Sequence, residues 1–184
     1  MRAFSKTVAA ELLVVAVLLG CGCQRKPKAP ALIDEPVYQS DEGFRFLVPE
    51  GWLMGARANV PPGPLDKERL LVQYRRTSGG DLATLEVSVM DLPEDTDMAA
   101  YLTNPSFSAR QWKQTGRAES LEAGGAQGTR YRFNAPVKGG QLTKEVTVFR
   151  RVGRVYFFTV LFSPKDAAAA EQVRRALGSL VWTK

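Results

Sequence analysis

Three groups of side chains able to do covalent or ionic chemistry stand out along this 184-residue chain. Two thiols, Cys21 and Cys23, stand near the N-terminus. Six cations, Arg130, Arg132, Lys144, Arg150, Arg151 and Arg154, recur in the C-terminal third. Four acids, Asp91, Glu94, Asp95 and Asp97, crowd into one short stretch. A thiolate is a nucleophile and an acyl acceptor. Guanidinium groups on a shared face hold phosphate, carboxylate or an anionic glycan. Clustered carboxylates suit calcium, but the glycine and terminal glutamate of a calcium loop are missing. Helix-terminus charge is the simpler account of them. Histidine is wholly absent. That excludes Ser-His-Asp and Cys-His chemistry, histidine-ligated zinc and an imidazole base. There is no G-x-S-x-G, Walker A or dinucleotide fingerprint. No metal and no cofactor are expected.

Cys21 ends the tetrad Leu18-Leu19-Gly20-Cys21, behind the unbroken apolar run Leu12–Leu19. Arg2 and Lys6 precede that run and give it the layout of a secretory signal, with Glu11 as the one intruding charge. Crossing a bilayer takes roughly 20 apolar residues, so the run is too short for a membrane helix. The tetrad resembles the processing site of bacterial lipoproteins: Leu at −3, a small residue at −1, then Cys. The resemblance implies cleavage between Gly20 and Cys21. It also implies a diacylglyceryl group on the Cys21 sulfur and a fatty acyl chain, such as palmitate, on the new amine. Cys23 lacks the upstream Leu. Gly22, where an Asp would favour the inner membrane, resembles an outer-membrane destination in a Gram-negative envelope, with the domain facing the periplasm or exterior.

Three segments follow from this reading. Residues 1–20 are the expected signal peptide. Residues 21–36 are the lipidated cysteine and a tether in which Pro27, Pro30 and Pro36 favour an extended path. Arg25, Lys26 and Lys28 in the tether suit anionic head groups. Residues 37–184 are one expected domain, without a thiol and therefore stable from packing alone. The net charge of +6 lies partly in the signal and tether and is no nucleic-acid footprint.

The domain reads as strand-rich. Strands are expected at 44–48, 69–76, 82–90, 118–122, 128–135, 142–152 and 154–162, from period-2 patterning and turn residues between the runs. The last is apolar on both faces and should be central. A short helix is expected from Met98, and a second helical piece over 106–114. A closing helix is expected to start after Ser163 as cap, with Pro164 in its first turn and Asp166 as acidic partner, and to continue over 167–177.

The aromatic strand ending in Pro49-Glu50-Gly51-Trp52, the hairpin at Val152-Gly153 and the closing helix before Ser179-Leu180-Val181-Trp182 occur in the order of a known fold. The chain thus resembles PsbP-like proteins and many bacterial lipoproteins. The resemblance implies an α+β fold, an antiparallel β-sheet covered by helices in an α/β/α sandwich. It brings no catalytic motif, and fold does not give function.

The expected role is therefore a lipid-anchored cell-envelope protein, not an enzyme. It would meet the membrane through acylated Cys21 and an envelope protein through its domain, with no nucleic-acid partner. Two alternatives stand beside it. One is an anionic small-ligand or glycan binder using an Arg-rich sheet face, with Arg130, Arg132, Arg150 and Trp52 as ligand face. That reading requires the three arginines to share a side of the sheet. Against it, strand arginines also serve as solvated, aggregation-resisting charge, and Trp52 also suits a core aromatic locking its turn. The other alternative is a hydrolase with an unrecognised carboxylate site.

Overall fold

The computed structural model describes residues 37–78, 81–104 and 110–183. The signal, the cleavage site Gly20-Cys21 and the tether lie outside the described residues. A polypeptide with two long runs of alternating apolar residues must bury two sheet faces, and the described residues do so around one large antiparallel sheet. In chain order the strands are β1 (Val37–Ser40), β2 (Phe44–Leu47), β3 (Leu53–Arg57), β4 (Arg69–Ser78), β5 (Asp81–Asp91), β6 (Lys113–Gln114), β7 (Glu119–Ala123), β8 (Ala126–Val137), β9 (Gly140–Arg151), β10 (Arg154–Phe162) and β11 (Val181–Trp182). The helices are α1 (Met98–Thr103) and α2 (Ala167–Gly178).

The large sheet runs β3-β4-β5-β10-β9-β8-β6, with β7 also paired to β8. The doubly apolar strand β10 is central, as its pattern requires. Tyr156, Phe158, Val160 and Phe162 enter one core, while Val155 and Phe157 enter the other. Hairpins at Lys138-Gly139 and Val152-Gly153 fix the registers, pairing Val137 with Gly140 and Arg151 with Arg154. In the second, Val152 itself takes φ 50°, a left-handed conformation that a β-branched residue adopts only under strain.

The face bearing Phe158 is covered by α2 and by the small sheet β1-β2-β11. Phe44 joins the layers, its ring centroid 5.7 Å from both Tyr156 and Phe158. Alanines 169, 170 and 176 are buried, so α2 lies close on the sheet beside Val173 and Leu177. The opposite face, bearing Phe157, is covered by the single six-residue helix α1 and by Trp112. Among the described residues the two sides therefore differ from the expected helical sandwich: one shares its helix with a small sheet, and the other has a single short helix.

Other expectations need correction. Lys113 and Gln114 pair with β8 instead of continuing a helix; residues 105–109 lie outside the described residues. Helix α2 begins after Asp166, not after Ser163, and no side chain caps it. The reason is electrostatic. Both Asp166 carboxylate oxygens accept from the Arg76 guanidinium at 2.5 Å, so the carboxylate is not available for the helix N-terminus. Strand β3 has no apolar alternation, because Leu53, Met54 and Gly55 are all exposed, and the sequence does not signal it.

Candidate functional site

The register of the β8–β9 hairpin decides what the arginines can do together. Gly128 faces Phe149, Arg130 faces Thr147 and Arg132 faces Glu145. Directly paired residues share a sheet face. Arg130 and Arg132 therefore lie on the α2 side, and Arg150, one residue beyond Phe149, lies on the α1 side. Trp52 belongs to the α2-side core. The expected ligand face of Arg130, Arg132, Arg150 and Trp52 is thus divided by the sheet itself. Period-2 alternation puts even positions of β8 opposite odd positions of β9. The two-residue turn Lys138-Gly139 carried that information in the sequence.

On the α2 side the ionic groups hold the fold. Glu145 is 3% exposed and accepts two hydrogen bonds from Arg174 on α2, at 2.9 and 2.6 Å. Donating to the Glu145 carboxylate raises the Arg174 guanidinium further above its ordinary value. Arg130 Nε lies 3.3 Å from the same carboxylate. At the other end of α2, Arg76 binds Asp166 and donates to Gln172 Oε1 at 2.9 Å. The Trp52 indole N–H donates to that same oxygen at 2.9 Å, and the Arg76 guanidinium lies over the Trp52 ring. Trp52 is a core aromatic that locks the strand exit to α2.

The α1 side carries different chemistry. Asp97 caps α1, accepting from the Ala99 and Ala100 N–H groups. Asp91 belongs to the other face, opposite Arg154, and accepts from Leu65 N–H at 2.8 Å. These roles account for two members of the acidic stretch, and among the described residues no three acids or cysteines gather to hold a metal. Lys144 Nζ donates to the Leu102 carbonyl at 2.8 Å, at the end of α1. It sits 4.7 Å from the Trp112 ring centroid and 4.8 Å from that of Phe133. Burial there lowers the ammonium to about 8.

Beside α1 lies a cavity of about 320 Å³, lined by the loop before α1 and by strands β7, β8 and β9. The register builds its floor. Ser120, Thr129 and Val148 stand side by side across β7, β8 and β9. Gln127 and Arg150 occupy the next row, and Tyr131 the row on the other side. Arg150 holds the overhanging loop: its guanidinium donates to the Pro93 carbonyl at 3.0 Å, Leu92 at 3.4 Å and Thr96 at 3.5 Å. Glu94, Thr96 and Met98 complete the lining from that loop and from α1. Desolvation raises the Tyr131 phenol above its ordinary value. Gly128 lies at the floor because Phe149 crosses its far side. A Cβ there would come within 2.6 Å of the ring. Sequence reading named Glu94 and Arg150 but missed Ser120, Gln127, Thr129 and Tyr131. Their types are ordinary on a strand surface, and only the register assembles them.

No protein-family model and no curated protein sequence matches the chain. Solved structures do. Cyanobacterial PsbP (CyanoP) from Synechocystis sp. PCC 6803 superposes with a TM-score of 0.57 at 16% identity, over 84% of this chain and 96% of that one. The fold is PsbP-like. LpqN of Mycobacterium tuberculosis, described as involved in cell envelope biogenesis, gives a TM-score of 0.50 at 13% identity, over 84% of this chain and 88% of that one. At these identities the likeness is one of fold. Among the described residues no helix is long and apolar enough to cross a membrane.

Proposed function

We propose that this chain is a lipid-anchored envelope protein that acts by binding, not by catalysis. Cys21 carries the anchor and the PsbP-like domain does the recognising. One observation carries the binding role: the buried charges are engaged in holding elements together. Glu145 fastens α2 through Arg174, Asp166 fastens its start through Arg76, and Arg150 fastens the 92–96 loop. The envelope setting rests on the Leu18–Cys21 pattern and is in keeping with the role described for LpqN. Acylation suits such a protein, because two or three chains at ~0.8 kcal/mol per buried CH₂ make attachment stable. A hydrolase reading would need two carboxylates facing one another. The α1-side cavity has one, Glu94.

The test is cross-linking in the native envelope followed by mass spectrometry. A specific protein partner and an acyl mass on Cys21 are expected. A Cys21→Ser chain that is still matured and anchored, or a wild-type chain that cross-links to nothing, would overturn the proposal.

A further inference from the structure

The α1-side cavity has a lining whose chemistry selects a ligand class. Its floor is apolar at Val148 and Met98, with the Tyr131 ring on its wall. Around this patch stand the hydroxyls of Ser120, Thr129 and Tyr131, the Gln127 amide and the Glu94 carboxylate. Some of these groups have partners inside the fold. Thr96 donates its hydroxyl to the Pro93 carbonyl at 2.8 Å, and Gln127 donates its amide N–H to Glu122 at 3.1 Å, which leaves the Gln127 carbonyl oxygen as an acceptor. Arg150 is the cation of the lining, and both of its terminal nitrogens donate to loop carbonyls.

This arrangement is poor for an anion. Phosphate or carboxylate needs donors free to converge on it, preferably a guanidinium fork. Here the fork faces the loop, and Glu94 adds like charge. A flat apolar hydrocarbon is equally unsuited, since it would strip water from five polar side chains without replacing their hydrogen bonds. What fits is a molecule with one apolar face and a rim of uncharged hydroxyls that both donate and accept. We propose that this cavity binds one ring of a neutral saccharide, its C–H face over Val148, Met98 and Tyr131 and its hydroxyls on Thr129, Ser120, Gln127 and Glu94. The volume of about 320 Å³ admits a single ring with room for water, at the small end of the roughly 300–1,000 Å³ that ligand sites occupy. The inference goes beyond the anchored-binding role and stands whether or not Cys21 is acylated.

The experiment uses the full chain in a detergent that carries no sugar. Glucose, galactose and N-acetylglucosamine are titrated separately at millimolar levels, with inorganic phosphate and acetate as comparison probes, and backbone amide shifts are recorded. At least one sugar should move the Gly128, Thr129 and Thr96 amides saturably, while phosphate and acetate do not. Thr129→Val should weaken that sugar about three- to tenfold, the value of one lost hydrogen bond. Ser120→Ala, at an exposed position, provides a second variant that keeps the fold. Saturable binding of phosphate in place of the sugars, no saturable shift with any sugar, or undiminished binding by both variants would each overturn the proposal.

Discussion

The two faces of the central sheet are built from the same strands, yet they are finished differently. The α2 face is sealed. Phe44, Phe46, Phe149, Phe158 and Phe162 are almost fully buried there, and its charges meet partners at close range. Among the described residues the α1 face has a thin cover of one short helix, a desolvated lysine and an open polar cavity. The lesson is about division of labour. Ion pairs on the sealed face hold the helix. On the thin face Arg150 holds the 92–96 loop over the sheet, and the cavity beneath that loop is the proposed ligand site.

The largest break in this comparison should come from Phe158→Ala. Phe158 lies within 5.9 Å, centroid to centroid, of Phe44, Phe46 and Phe149. Its removal should cost about 3–5 kcal/mol in urea-induced unfolding. Tyr131→Ala on the thin face should cost far less, because its ring borders the cavity. Equal losses would show that the two faces are not finished differently.

A smaller loss, about 1–3 kcal/mol, is expected for Glu145→Gln, which leaves Arg174 and Arg130 without their carboxylate. Replacing Glu145 and Arg174 together by methionine should recover most of it, since an apolar pair of similar size often substitutes for a buried ion pair. A double variant as unstable as the single one would show that the carboxylate acts through something other than these arginines.

Val152→Asn should gain about 1 kcal/mol, by relieving the left-handed strain at the β9–β10 turn. Thermal denaturation reads this directly. A loss would mean that the exposed valine has a packing role.

The subtlest effect is in pH. Lys144 binds its proton less tightly in the fold, at about 8, than its ordinary 10.5. The unfolded chain therefore holds more protons between those values, and stability should rise with pH across that window. Tyr74 and Tyr101 are pushed up by burial from 10.0 to about 12, so their contribution is present below 10 and is lost as pH climbs toward 12. Urea midpoints should thus rise above pH 8 and fall above 10. In Lys144→Met the rise should vanish and the fall remain.

The sequence announced the strands that are apolar on a regular period, above all β10, whose two faces could be assigned residue by residue. It announced α1 through its acidic cap. It did not announce β3, whose exposed Leu53 and Met54 leave no pattern, or β11, whose pairing with β2 joins chain segments more than 130 residues apart; β1, a four-residue strand beside β2, is too short to show a period. The start of α2 was misplaced because Asp166 has a distant partner, Arg76, that no local signal reveals. The arginine face failed for a different reason. Residue types along a strand do not show its side, whereas alternation across a two-residue turn decides which side each occupies.

The short turns of β8–β9–β10 have one more consequence, for how this protein can vary. Adding or deleting a single residue at Lys138-Gly139 would shift β8 against β9 by one place and reverse its faces. Phe133 would then turn toward Glu145's side, and Arg130 toward the cavity. That connection should resist change in length as strictly as a reading frame does. Among descendants of this chain, insertions should gather in the proline-rich 60–64 loop and spare both hairpins.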